Sequence, residues 1–248
     1  MSISTGNQTQ SSSRKISLSV PLKGVIFDMD GTLIQMNFMD DIKRRIFEIA
    51  DSEQFVGERN EHDDLEVMIA KLSSEGQKRA KMAVTEILQT HVDNMAIQEG
   101  GPELVAFLAQ KGIRRAVLTH NHTKNAIIMQ QMYMNENSEA VFDLIIGRDS
   151  LFDSSVPPQK TVSKEQRIYQ ICESWGCNPT EVIMVGDSIA DDVVDGNRAG
   201  CAATILLQPE GYHLNLLYGT KIGSFEERTP TLCVKSLMDV KEYLECIL

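Results

Sequence analysis

From Lys23 onward, short runs of β-branched and other apolar residues alternate with amphipathic stretches, and that rhythm leaves few architectures open. The apolar runs are "GVIF" (24–27), "RRAVLT" (114–119), "LIIG" (144–147), "EVIMVG" (181–186), "ATILL" (203–207) and "TLCV" (231–234). Most are continuously apolar, as expected of strands covered on both faces. Between them lie helical patterns. "GPELVAFLAQKG" carries Pro in its first turn and ends on Gly. "TKNAIIMQQMYM" follows the second run. "KEQRIYQICESWG" places Ile168, Ile171, Cys172 and Trp175 on one stripe. "ADDVVDGNRAG" is a short helix closing on Gly200. Strands alternating with helices predict an α/β fold, a Rossmann-like parallel sheet with helices on both faces.

Residues 36–98 break the rhythm. They hold no good strand and read as three or four helices, with Ser74 and Gln77 resembling a capping box before the longest. So long a stretch is not an ordinary connection between strands. It predicts a small all-helical cap inserted into a core formed by 21–35 and 99–248, closing over the site beneath it. Residues 1–20 are Ser/Thr/Gln-rich with few apolar side chains and read as a disordered arm. An organelle transit peptide has similar composition.

The net charge of −11 argues against nucleic acid and anionic membrane as partners, since both need basic surface. No apolar run approaches the roughly 20 residues of a membrane span. Five cysteines without a CxxC pair read as reduced thiols, so a cytoplasmic protein is expected, or an organellar one if the arm is a transit peptide.

Acids collect where strands end. Asp28 and Asp30 follow the first run, and Asp187 follows the fourth, with Asp191 four residues on. Thr119 ends the second. In an open parallel sheet ligands bind beyond the carboxyl ends of the strands, so these side chains should share one site. Two like charges 4 Å apart repel by about 4 kcal/mol at an effective dielectric of 20. Three carboxylates together therefore call for a cation or a proton. Oxygen donors without histidine fit Mg²⁺ better than zinc. Gly31 and Thr32 offer backbone N–H groups to an anion. Asp192 and Asp195 read as surface acids complementing a helix dipole. Arg44 and Arg45 read as a solvated helix face. His120 and His122 read as hydrogen-bonding groups at the substrate's edge.

"DMDGTL" (28–33) resembles the first motif, DxDGT, of the haloacid dehalogenase-like superfamily. "LT" at 118–119 resembles its second motif and "GDSIADD" (186–192) its fourth. The resemblance implies a Mg²⁺-dependent phosphatase acting on a small phosphorylated metabolite. Asp28 would be the nucleophile that becomes an aspartyl phosphate, and Asp30 the general acid and then base. Asp28, Asp30 (through its carbonyl) and Asp187 would hold the metal, with Asp191 binding it through water or bracing its ligands. Thr119, His120, Gly31 and Thr32 would bind the substrate. The third motif departs from the pattern, because its lysine would fall at Val162. Lys160 and Lys164 flank that place; a loop slip would let either reach the site, and Lys164, at the start of the helix, is favoured. A phosphomutase of the same superfamily and a non-catalytic scaffold or regulatory protein are the alternatives, as a monomer or a dimer.

Overall fold

The computed structural model describes residues 20–36, 39–53, 65–150, 162–208 and 222–248. They divide into two compact units, one running through Thr32 and resuming at Glu99–Leu248, the other Leu33–Gln98. The disordered-arm reading and Lys160 lie outside the described residues.

The first unit is built on six parallel strands: β1 (Gly24–Phe27), β2 (Arg114–Leu118), β3 (Leu144–Ile146), β4 (Val182–Gly186), β5 (Ala203–Leu207) and β6 (Leu232–Val234). Their order across the sheet is β3-β2-β1-β4-β5-β6. Every strand falls on an apolar run read from the sequence, trimmed by at most a residue at an end. All four residues of β1 are buried, as are all five of β4 and of β5. That is why their sequences are continuous rather than alternating: both faces are covered.

The period of two still sorts the side chains. Ile26, Ala116, Leu118, Val182 and Met184 pack on one face against Ile168, Ile171 and Cys172 of α6 (Lys164–Trp175) and Ala199 of α7 (Val194–Ala199). Phe27 points to the other face. There its ring meets Phe142 edge-on at 6.1 Å, and Phe142 meets Tyr133 of α5 (Thr123–Glu136) at 5.7 Å. Such aromatic pairs contribute about 0.5–1.5 kcal/mol beyond their buried area. Two further helices, α4 (Gly101–Gln110) and α8 (Leu237–Glu245), pack against each other, with Leu104, Leu108, Leu237, Val240 and Leu244 buried. All five cysteines are free.

The second unit holds three helices among its described residues: α1 (Met39–Ser52), α2 (Leu65–Ala70) and α3 (Ser74–Asp93). Ile42, Ile46 and Ile49 of α1 form an i, i+4, i+7 stripe that packs with Met68, Leu72, Ala80 and Ala83. The unit starts at Leu33, not residue 36, because its two ends zip together. The Gln35 amide donates to the Ala96 carbonyl (2.9 Å) and the Gln98 amide to the Leu33 carbonyl (2.8 Å). The cap of α3 is also one residue earlier than the sequence reading places it. Ser73 Oγ accepts from the Gly76 amide at 3.0 Å, and the Ser73 hydroxyl itself donates to Glu53 (2.8 Å). Arg44 and Arg45 are exposed and pair with Asp41 and Glu48 of their own helix. No helix among the described residues is long and apolar enough to cross a membrane.

Candidate active site

The chain enters the sheet at its middle, runs outward through β2 and β3, then returns to β4 on the other side of β1. The crevice between the carboxyl ends of β1 and β4 is therefore the switch point of the sheet, where such folds bind ligands. The Asp28 amide still donates to the Val185 carbonyl at 2.9 Å, so the strand holds this side chain at the crevice with little freedom.

Asp28 is almost fully buried, and so is the lysine that faces it. Lys164 Nζ donates to Asp28 Oδ1 at 2.5 Å and to Asp192 Oδ1 at 2.7 Å. Lys164 is the first residue of α6. Ser163 caps that helix by accepting from the Gln166 amide, and Asp195 accepts from the Glu165 amide at 3.2 Å. The reading of Asp195 as a plain surface acid is thus corrected. It is half-buried, and it ties the start of α6 to α7.

The acids also group differently from that expectation. The carboxylates of Asp28, Asp187 and Asp192 offer oxygens all within 4.8 Å of one another, whereas Asp191 is exposed and outside that group. Asp192, read from the sequence as a surface acid, is 1% exposed. The cause is local. Residues Ile189–Val193 form a π-turn, with the Val193 amide donating to the Ser188 carbonyl five residues back at 3.2 Å. Counting four residues from Asp187, as an α-helix would, arrives at Asp191; the wider turn carries Asp192 inward with Ile189 and Val193. Asp192 Oδ2 then accepts from the Ser188 amide at 2.9 Å. Asp192→Asn is expected to lower turnover or metal affinity about 10–100-fold. Asp191→Asn should stay within about twofold, the range of an exposed substitution. Steady-state kinetics over a metal titration will decide, and equal effects would refute this assignment.

Two glycines let the carboxylates come together. Gly31 has φ +81°, and a Cβ there would lie 2.2 Å from Asp187 Oδ2. A Cβ on Gly186 would lie 2.1 Å from the Asp192 carboxyl. The Gly of "DGT" and the Gly of "GDS" are thus the places where the backbone approaches the acids too closely for any side chain. Thr32 is fully buried, and its hydroxyl has no hydrogen-bond partner among the described residues.

Asp30 faces the loop after β2. It accepts from Thr119 Oγ1 at 3.3 Å and from Asn121 Nδ2 at 3.2 Å. Thr119 is buried, and His120 is exposed. Asn121 escaped the sequence reading. Its signal was weak: a polar residue two positions past a strand-end Thr, in a loop where Asn is common.

The electrostatics follow from crowding. Burial raises Asp28 well above the usual carboxylate range, although Lys164 pulls it back down, and the neighbouring Asp192 and Asp187 push it up again. Asp187 is pushed up to about 7, by burial first and then by Asp192. Burial works against the charge on Lys164, but Asp192 and Asp28 outweigh it and hold its ammonium above the ordinary value. Among the described residues, three carboxylates thus face one ammonium, and a divalent cation would relieve the excess negative charge. The donor set is all oxygen, which suits a hard cation. These residues fit such an ion.

A parallel sheet with acids at its switch point defines a class of α/β proteins whose ligands bind at the ends of the central strands. The comparisons narrow it. The haloacid dehalogenase-like hydrolase family matches residues 22–200, and the chain belongs to that family. A haloacid dehalogenase-like hydrolase domain-containing protein of Arabidopsis thaliana is 31% identical over 225 residues, 90% of this chain and 84% of that one. A phosphoglycolate phosphatase of Haemophilus influenzae is 29% identical over 114 residues, 46% of this chain and 45% of that one. Among solved structures, a haloacid dehalogenase-like family protein of Streptococcus pneumoniae superposes with a TM-score of 0.58 at 18% identity. That match covers 90% of this chain and 98% of that one and is a likeness of fold.

Proposed function

We propose that this hydrolase is a Mg²⁺-dependent phosphatase that acts on a small phosphorylated metabolite through an aspartyl phosphate on Asp28. The observation that carries the reading is the Asp28 carboxylate held against a buried ammonium, with a second acid, Asp30, two residues on. Family membership supports it, as does the similarity to a phosphoglycolate phosphatase.

An Asp28 carboxylate oxygen attacks phosphorus, and the bond from phosphorus to the ester oxygen breaks. Asp30 gives its proton to that oxygen, so the product leaves as an alcohol. Asp30, now ionised, takes a proton from water as the water attacks the aspartyl phosphate. The bond from phosphorus to Asp28 breaks, which releases inorganic phosphate and restores both carboxyl groups. Splitting one difficult displacement into two, each with a positioned proton carrier, is how such catalysis gains rate. Lys164 stabilises negative charge on the transferring group and keeps Asp28 oriented. Asp28, Asp187, Asp192 and the Asp30 carbonyl would hold Mg²⁺, which when bound would supply positive charge to offset that of the transferring group.

The non-catalytic reading stood on the displaced third-motif lysine. Lys164 sits two residues beyond Val162, and its contact with Asp28 supports the catalytic reading over that one. The test is phosphate release from an aryl phosphate and a broad panel of phosphorylated metabolites. Release is expected with Mg²⁺, is lost with a chelator, and returns when Mg²⁺ is restored. No Mg²⁺-dependent release from any ester in the panel would refute the phosphatase reading.

A further inference from the structure

Asp30 can serve as acid and base only if its carboxyl group stands where the leaving oxygen will be. The loop after β2 holds that carboxyl group through a chain of hydrogen bonds whose directions are not interchangeable. Asn121 Oδ1 accepts from the His122 amide at 2.8 Å and from Asn125 Nδ2 at 2.8 Å. A backbone N–H can only donate, so the oxygen of the Asn121 amide must face it, and Nδ2 is turned toward Asp30. It lies 3.2 Å from one Asp30 oxygen and 3.4 Å from the other. The Asn121 backbone N–H donates to Thr119 Oγ1 at 2.9 Å, which leaves the Thr119 proton free to point at Asp30 Oδ2. Asn125, in the first turn of α5, is buried and anchors the set.

We infer that Asn121 is a positioning residue for Asp30, and that through it the β2–α5 loop governs proton delivery to the leaving group. This rests on the phosphatase reading above. The consequence is selective. An ester whose leaving group is an acidic phenol needs little help from a proton, because the phenolate departs readily. One with a more basic leaving group needs the Asp30 proton in place as the bond to phosphorus breaks. Loss of Asn121 should therefore hurt the second kind and spare the first.

The experiment uses the full chain with Mg²⁺ and a series of aryl phosphates from 4-nitrophenyl to 4-methoxyphenyl phosphate. In Asn121→Ala, kcat/KM for the 4-nitrophenyl ester should stay within about threefold of wild type. The 4-methoxyphenyl ester should slow at least about tenfold more, part of the roughly 10²–10⁴ that a placed general acid contributes. Asn121→Asp keeps the side-chain volume but sets an acceptor against an acceptor, and should steepen the series in the same way. It decides the matter if the alanine variant does not fold. In an Asp30→Asn background, Asn121→Ala should add no further steepening. Equal slowing of all esters would make Asn121 merely structural and overturn the inference, as would no slowing at all. Both leave the phosphatase reading intact. A wild-type chain inert on the series and on the metabolite panel would overturn that reading and this inference with it.

Discussion

Asp28→Asn is expected to reduce phosphate release by at least about 10³-fold, the scale of removing a nucleophile, while the fold stays as stable as before or gains slightly. An amide at this position cannot form the phosphorylated intermediate. Its effect on stability runs the other way. The wild-type site crowds three carboxylates within 4.8 Å of one another. The substitution would remove one negative charge from a buried cluster, and Lys164 would keep Asp192 as its partner at 2.7 Å. In metal-free protein the thermal midpoint should therefore not fall. Phosphate release and a melting curve on the same preparation check both halves. Retention of more than about a tenth of the activity would mean that another group attacks phosphorus.

Lys164→Ala should fail on both counts. It should slow turnover by about 10²–10³-fold, the loss typical when one charge-stabilising donor is removed. It should also destabilise the protein by about 3–5 kcal/mol, because Asp28 and Asp192 would be buried without their counter-charge. At this chain length that lowers the melting midpoint by roughly 10 °C. Lys164→Met keeps the stem and its apolar contacts, so it separates lost charge from lost packing. A melting midpoint unchanged in both variants would show that the ion pairs of Lys164 contribute nothing to the fold. Unchanged turnover would remove it from the chemistry.

Much of the first unit was legible in the sequence because its signals are local and redundant. Each strand is a short run of β-branched residues bounded by breakers, and burial on both faces leaves little else such a run can do. The acids were legible for the same reason: Asp28, Asp30 and Asp187 directly follow strands, and parallel strands all end on one side. The misses share another cause. Asp191 and Asp192 are adjacent, and which one faces the site depends on whether five residues form an α-turn or a π-turn. Neither residue announces that choice. Ser73 and Ser74 present the same problem at α3, where one residue decides which hydroxyl caps the helix.

Lys164 and Asn121 show what spacing alone leaves open. The sequence narrowed the third-motif lysine to two positions and favoured Lys164, but its reach depends on how α6 is set against β1 and α7. Asn121 had no periodicity to mark it; its role comes from a backbone amide that orients its side chain.

By itself, the sequence determined that the chain forms a parallel sheet with carboxylates at the ends of its strands. Strand propensity, apolar burial and a common strand direction suffice for that. Only the tertiary structure decided that Asp192 rather than Asp191 joins Asp28 and Asp187, and that, among the described residues, Lys164 sits between Asp28 and Asp192. One step along a helix turns a side chain by about 100°. A carboxylate or an ammonium misses its partner at that angle, so packing of the turn, not the order of residues, settles which one arrives.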